Sequence, residues 1–344
     1  MGFFASYGLF LAEILTLVFA IMAVIAVAAK SKTNKNEKAE LKVELLNDRY
    51  EEMNDTIFAA IADKKEWKNY CREQKQASKN RGKDKDGKSL PRLFVLDFDG
   101  DIAATDADEL REQISAILQT AKEGEQVLLR LESAGGYVHS YGFAASQLAR
   151  LREKSLHLTV AVDKIAASGG YMMACVGSEI IAAPFAVIGS VGVVGALPNF
   201  HDLLEKQSIH YEEHTAGEFK RTLTMFGENT DGDRQQFRKE LQETHELFQQ
   251  HIREYRPNLD VAKIATGETW YGKKALEKGL IDKIQTSDDF LLAMMKTHNI
   301  LELSHSKTQS LIQKLKEEFL SSVSVEGIKK SAQGMIKPFK ADIQ

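Results

Sequence analysis

Gln126-Val-Leu-Leu-Arg-Leu-Glu-Ser-Ala-Gly-Gly-Tyr-Val138 is the stretch on which the fold turns. QVLLRLE (126–132) is a short apolar run closed by a glycine pair, which predicts a buried strand followed by a sharp turn. Residues 139–153 then place Phe143, Ala144, Leu148 and Leu151 at helical spacing. The same alternation extends in both directions. LFVLDF, starting at Leu93, predicts a strand. Residues 105–122 predict a helix through Leu110, Ile114, Ile117, Leu118 and Ala121, with Thr105 and Asp108 as an acidic capping pattern. HLTVAV (157–162) and EIIAA (179–183) predict two further strands. Strands separated by helices of this length mean βαβ units and an α/β domain with a mostly parallel sheet.

The 344-residue chain has room for such a domain with appendages. An apolar content of 43% permits a core and excludes wholesale disorder. A net charge of −4 gives no reason to expect nucleic acid as a partner. Cys71 and Cys175 cannot form a disulfide framework and have no metal-ligand spacing. There is no internal repeat.

Ahead of the domain, residues 8–29 read GLFLAEILTLVFAIMAVIAVAA, with Glu13 as the one charge. A helix of that length crosses a bilayer core of about 30 Å. No basic segment precedes it and it exceeds a usual signal-peptide core, so it predicts a retained anchor with Glu13 near the interface. Lys30, Lys32, Lys35, Lys38 and Lys42 follow it, which by the positive-inside rule favours a cytoplasmic domain. Val43, Leu46, Tyr50, Met53, Ile57, Ala60, Trp67 and Cys71 form an amphipathic helical stripe over 41–75, and NRGKDKDGK (80–88) is a solvated linker. Residues 181–199, though apolar enough for a second span, are broken by Pro184, Gly189, Gly192 and Gly195 and predict a buried strand–loop–strand. A long amphipathic helix is expected over 233–256, and an amphipathic helical tail over 308–344. The organisation expected is an anchor (1–30), a charged helical stalk and linker (31–90), the α/β domain (91–295) and a helical tail (296–344).

Two glycine turns could carry chemistry. Ala166-Ala-Ser-Gly-Gly-Tyr-Met-Met-Ala-Cys175 runs from a strand into an apolar helix, so Ser168 stands at a helix N-terminus, where the dipole favours developing negative charge. Ser168 is either a nucleophile with the Gly169 amide beside it or simply an N-cap, and from this segment alone the cap is the commoner role. Glu132-Ser-Ala-Gly-Gly-Tyr-Val138 makes a second such turn on the same carboxyl edge of the sheet, where it could offer another amide donor. None of the histidines stands in a recognisable triad context. Lys220 follows a predicted strand, near Phe219, Leu223, Met225 and Phe226. Only about one ordinary lysine in two thousand is neutral at pH 7, so a lysine base needs an apolar wall. On spacing alone Lys220 is a solvated charge. FVLDFDGD (94–101) imitates the strand end of Asp-x-Asp phosphatases, with Asp97 as the nucleophile and a magnesium ion on the acids, or is a strand ending in an acidic turn.

Five motifs, in this order, resemble the signal peptide peptidase A family of serine peptidases: ESAGGYVHSYG (132–142), KIAASGGYMMAC (164–175), IGSVGVVG (188–195), TAGEFKRTLT (215–224) and ATGETWYGKKALEKGLID (265–282). The resemblance spans 92–290, and the 52 residues from Ser168 to Lys220 match the family's spacing. It implies a crotonase/ClpP-like fold and a Ser–Lys dyad without metal or organic cofactor. Ser168 would be the nucleophile and Lys220 the general base. The Gly136 and Gly169 amides would form the oxyanion hole, and Ser190 would orient the lysine. Ala134 departs from the family's proline and removes a φ constraint from the oxyanion turn. With a single repeat, the resemblance implies a homo-oligomer in which Ser168 of one protomer meets Lys220 of the next. It implies polypeptide substrates, signal-peptide-like or unfolded, and a bacterial inner (cytoplasmic) membrane location in contact with the bilayer through 8–29. The family's role favours the periplasmic side, against the lysines after the span. A catalytically silent membrane scaffold of the same fold is the non-enzymatic alternative.

Overall fold

In the computed structural model the described residues are 8, 14–16, 40–77, 90–217 and 219–306. The chain forms two compact units, one of residues 42–304 and one of 1–41 with 305–344. The predicted anchor, the 80–88 linker and the amphipathic stretch from 308 lie wholly or almost wholly outside the described residues. Among the described residues no helix is long and apolar enough to cross a membrane.

The strands are β1 (Glu40–Leu45), β2 (Arg92–Gly100), β3 (Gln126–Ser133), β4 (His157–Val162), β5 (Ile165–Ala167), β6 (Glu179–Ala182), β7 (Val187–Gly189), β8 (Thr269–Tyr271), β9 (Lys283–Ile284) and β10 (Asn299–Ser306). The helices are α1 (Leu46–Ile61), α2 (Lys64–Ala77), α3 (Ala107–Thr120), α4 (Val138–Glu153), α5 (Gly169–Ala174), α6 (His201–Lys206), α7 (Asp231–Tyr255), α8 (Val261–Ile264), α9 (Gly272–Glu277) and α10 (Ser287–Met294). The sheet runs β10-β2-β3-β4-β6-β9, all parallel. This is the α/β class with a mostly parallel sheet that the sequence predicts. Its central strands are apolar runs because they are covered on both faces. Leu93, Val95, Leu96, Val127, Leu128, Leu129, Leu158, Val160 and Val162 are all fully buried.

The sheet forks at β3. Residues Gln126–Arg130 pair with His157–Ala161 of β4, but Ser133 pairs with Ala166 of β5. β5 continues to β7, with Ala167 opposite Gly189, and β7 meets β8 antiparallel. Counting forward from these registers, the turn after β3, the turn after β5 and the end of β7 come side by side.

Several local expectations are corrected. The stripe over 41–75 is a strand and two helices. Asp63 breaks it: its Oδ1 accepts the Lys65 and Glu66 amides at 2.7 and 2.8 Å, and Glu66 Oε2 accepts the Asp63 amide at 3.0 Å. That capping box ends one helix and starts the next. Thr105 does not cap α3; its own amide donates to Asp101 Oδ1 at 2.9 Å. Phe143 is 38% exposed, because the inward stripe of α4 is Tyr141, Ala144, Ala145, Leu148 and Leu151. Within 181–199 burial runs from Ile181 and Ala182 of β6 through Ala186 and β7 to Val191 and stops there, and Val194 is 89% exposed. The strand expected before Lys220 does not form, and no regular element occurs among the described residues between α6 and α7. The long helix begins two residues early, capped reciprocally by Thr230 and Asp233. The region from 296 opens with β10, whose Asn299–Glu302 pair with Arg92–Val95. Asn47 of α1 is tied in there too: its Nδ2 donates to the Met295 and His298 carbonyls, and its Oδ1 accepts the Ile300 amide at 2.7 Å.

Candidate active site

Ser168 occupies the single residue between β5 and α5. Its backbone lies at φ 52°, ψ −117°, a conformation that non-glycine residues rarely adopt. Such strain costs about 1–3 kcal/mol and persists only where the surroundings enforce it. Here they do. The Ser168 amide donates to the Gly189 carbonyl at 2.8 Å, and its carbonyl accepts the Met172 amide at 2.9 Å. Ser168 stands at the N-cap position, yet its side chain accepts no capping hydrogen bond. The cap reading of Ser168 is therefore excluded. Its half-buried hydroxyl has no hydrogen-bond partner among the described residues.

Glycine is required on both sides of this turn. A β-carbon at Gly169 would sit 2.4 Å from the Tyr141 ring, and one at Gly170 2.5 Å from the Ser133 carbonyl oxygen. Gly135, at φ 89°, packs against the same turn: a β-carbon there would lie 2.6 Å from the Gly169 nitrogen and 2.8 Å from Ser168 Cβ. A β-carbon at Gly136 would lie 2.0 Å from the Ile102 carbonyl oxygen. The Gly136 amide makes no hydrogen bond among the described residues. The Gly169 amide is the first of α5 and has no intrahelical acceptor. Two unspent donors thus flank the turn that carries Ser168.

Ser190 follows Gly189, the residue that binds the Ser168 amide. It too has positive φ, 52°, and its amide donates to the Glu268 carbonyl at 2.6 Å. The structure therefore brings Ser168, Gly169, Gly136 and Ser190 to one place. Lys220 is different. It is exposed, its amide bonds the Gly217 carbonyl at 3.1 Å, and no hydrogen bond joins its ammonium to Ser168 or Ser190. The apolar wall expected around it is not closed within one protomer. Phe219 is exposed, and Phe226 stacks with Phe200 at 6.1 Å and lies 5.8 Å from Tyr211. The segment is nonetheless anchored downstream of Lys220. Asn199 Nδ2 donates to the Thr224 and Gly227 carbonyls at 2.9 and 3.0 Å, and the Phe200 amide donates to the Met225 carbonyl at 2.7 Å.

The phosphatase-like acids have other work. Arg130 Nε and Nη2 grip both Asp97 oxygens at 2.5 Å, and Arg130 also pairs with Glu302. Burial opposes the Arg130 charge, but the two carboxylates outweigh it and hold the guanidinium above its ordinary range. Asp97 is thus a bidentate partner and not a free nucleophile. No cluster of metal-ligating side chains occurs among the described residues. Cys175 is fully buried, which pushes its thiol up and keeps it protonated.

Sequence reasoning missed Ser133 and Tyr141. Ser133 Oγ lies 2.5 Å from Tyr141 Oη and accepts the Gly135 amide at 3.0 Å, and Tyr141 Oη donates to the Asp101 carbonyl at 2.7 Å. The available signal was a tyrosine on the inward stripe of α4, where a hydroxyl must find a partner.

Residues 2–148 match the model of the peptidase family S49 N-terminal region, and residues 150–301 match that of peptidase family S49. The chain belongs to peptidase family S49. It is a serine protease of that family. It is 48% identical over 320 residues to the "Probable protease SohB" of Haemophilus influenzae, covering 90% of this chain and 91% of that one. It is 47% identical over 325 residues to the protein of the same name from Buchnera aphidicola of Acyrthosiphon pisum, covering 94% and 95%. A solved structure of the 1510-N membrane-bound stomatin-specific protease aligns at 14% identity and TM-score 0.41, over 66% of this chain and 99% of that one. The two S49 matches meet inside α4, so one sheet is built from both. The first holds the Gly136 turn. The second holds Ser168, Ser190 and Lys220.

Proposed function

We propose that this S49 protease is a membrane-anchored endopeptidase that works through a Ser168–Lys220 dyad. The observation that carries the reading is Ser168 itself: a strained, uncapped serine with an unpartnered hydroxyl between two glycine turns. Ser168 Oγ attacks the scissile carbonyl carbon while the neutral Lys220 amine takes its proton. The carbonyl oxygen becomes an oxyanion and accepts the Gly136 and Gly169 amides. Collapse breaks the C–N bond, and the Lys220 ammonium returns its proton to the leaving amine. Water, deprotonated by the same amine, then hydrolyses the acyl-enzyme and frees Ser168. Ser190 Oγ accepts a hydrogen bond from the lysine amine and so orients it, leaving the amine lone pair for the Ser168 proton.

A lysine base needs an apolar wall, and within one chain the Lys220 side chain is exposed. We infer that a neighbouring protomer supplies the missing cover, so that Ser168 of one chain meets Lys220 of another. The exposed Phe219, Val194 and Leu203 would provide apolar surface for such a neighbour. The apolar run 8–29 would hold the ring on a bacterial inner membrane, with the catalytic domain on the periplasmic side. Substrates would be signal-peptide-like or unfolded segments near the bilayer. The test is covalent labelling by a fluorophosphonate of detergent-solubilised oligomers of wild type, Ser168→Ala and Lys220→Ala. The reading expects labelling of wild type alone. Labelling that survives Ser168→Ala would place the nucleophile elsewhere, and an assembled wild type inert to this and a second electrophile would favour a silent scaffold.

A further inference from the structure

We propose that Ser133 and Tyr141 are positioning residues that aim the Gly136 amide through a chain of buried hydroxyls anchored on the Asp101–Ile102 loop. The inference rests on the reading of Ser168 and Gly136 given above. Both side chains are buried, Ser133 at 2% and Tyr141 at 0% exposure.

Proton counting gives the chain a direction. The Asp101 carbonyl can only accept, so the one hydroxyl hydrogen of Tyr141 goes to it across 2.7 Å. Ser133 Oγ accepts the Gly135 amide at 3.0 Å, and its own hydrogen is left for Tyr141 Oη at 2.5 Å or the Gly100 carbonyl at 3.2 Å. Burial raises the Tyr141 pKa, so the phenol stays a donor at any working pH. On the far side of Gly136, the Tyr137 amide donates to the Ile102 carbonyl at 2.9 Å. The amides before and after Gly136 are therefore both fixed, one through Ser133 and one on the loop. Only the Gly136 amide between them is left unbonded.

Tyr141 reaches the other donor too. Its ring fills the space a Gly169 side chain would need, with Cγ 2.4 Å from that β-carbon position. One residue thus touches both halves of the oxyanion hole, by its hydroxyl through Ser133 and by its ring under Gly169. The loop that receives the chain is itself closed by hydrogen bonds. The Ala104 amide closes a turn on the Asp101 carbonyl at 3.1 Å, and Asp101 Oδ1 accepts the Thr105 amide. This is the structural use of the DFDGD strand end.

The experiment uses the full chain as its assembled oligomer, with Tyr141→Phe and Ser133→Ala made separately. Tyr141→Phe keeps the ring under Gly169 and removes only the hydroxyl. Removing an oxyanion donor outright costs about 10²–10³ in kcat, and a misaimed one costs less, so kcat should fall about 10–100-fold with KM nearly unchanged. Inhibition by a peptide aldehyde, whose serine adduct carries an oxyanion, should weaken by the same factor, while a non-cleavable peptide of the same sequence binds as before. Both variants lose a buried hydrogen bond and should melt earlier, which is why the aldehyde-to-peptide affinity ratio is the deciding readout. An unchanged ratio in a folded variant overturns the inference, and if Ser133→Ala does not assemble, Tyr141→Phe decides alone. Ser168→Ala runs in parallel: turnover by it defeats the reading of the site, whereas an inactive Ser168→Ala beside an unimpaired Tyr141→Phe defeats the positioning role only.

Discussion

The surroundings of Ser168 and those of Lys220 are built in opposite ways. Ser168 sits where three strand ends meet, with glycines pressed against backbone and ring on every side and its strained φ held by the Gly189 carbonyl. Lys220 sits in an irregular segment with its side chain in water. Helix α7 spans the two. At its C-terminal end Phe248 and Ile252 are buried, and His251 Nε2 lies 2.9 Å from the Met172 carbonyl oxygen. At its N-terminal end Glu240 reaches Thr222 at 3.5 Å, two residues from Lys220. The contrast teaches that the Ser168 turn is fully built within one chain, whereas on the proposed reading Lys220 would serve as base only when something covers it.

The largest effect that would break this comparison is loss of the reacting groups. Ser168→Ala and Lys220→Ala should each lower peptide turnover by at least about 10³-fold, and the double variant should be little worse if the pair acts as the unit proposed. Retained turnover in Lys220→Ala would remove the base half from the account. Next come Gly136→Ala and Gly169→Ala. The added methyl meets the Ile102 carbonyl oxygen in one and the Tyr141 ring in the other, so kcat should fall about 10²–10³-fold through the displaced donors. By contrast Gly142→Ala, whose β-carbon meets nothing within 4 Å, should leave kcat unchanged. Phe219→Asp should be milder in the protomer, with an unaltered melting temperature. Its effect should appear as weaker assembly in sedimentation and an activity that fades on dilution.

The smallest predicted effect concerns the docked end of α7. Arg256 grips Asp282 at 2.6 and 2.8 Å, and Asp282 Oδ2 also accepts the Ile180 amide. Burial opposes ionisation of Asp282, but Arg256 and the Ile180 amide outweigh it and hold the carboxyl below its ordinary range. The stabilisation is present above the unfolded-state aspartate pKa of about 3.9 and is lost as pH falls through the lower folded value. Chemical denaturation followed against pH should therefore show a fall in stability below about pH 4 that is shallower in Asp282→Asn. Arg256→Ala, which leaves the partner unpaired, should cost about 2 kcal/mol at neutral pH.

Much of this was legible in the sequence. β2, β3, β4 and β6 are runs of branched apolar residues, and such runs buried on both faces read the same in any context. The glycine pairs at 135–136 and 169–170 were legible because backbone contact leaves no room for a side chain. What stayed hidden depends on partners distant in sequence. The fork that moves β3 from β4 to β5 is a matter of register, and it alone brings Gly135 against Ser168. Ala134 suggested a loosened oxyanion turn, but nothing local reveals that Tyr141 ties that turn to a loop 40 residues upstream. β10 was hidden for the same reason, since Asn299–Ser306 pairs with a strand some 200 residues earlier.

The most direct measurement is complementation between inactive chains. Ser168→Ala and Lys220→Ala protomers would be mixed, dissociated, reassembled together and tested for fluorophosphonate labelling and peptide turnover. On the proposed reading, mixed rings would contain junctions where an intact Ser168 from one chain faces an intact Lys220 from its neighbour. The account predicts that activity returns well above that of either variant alone, with the label only on the chain that retains Ser168. Mixed rings, verified by mass, that stay inactive would contradict it and return the base to the same chain as the nucleophile.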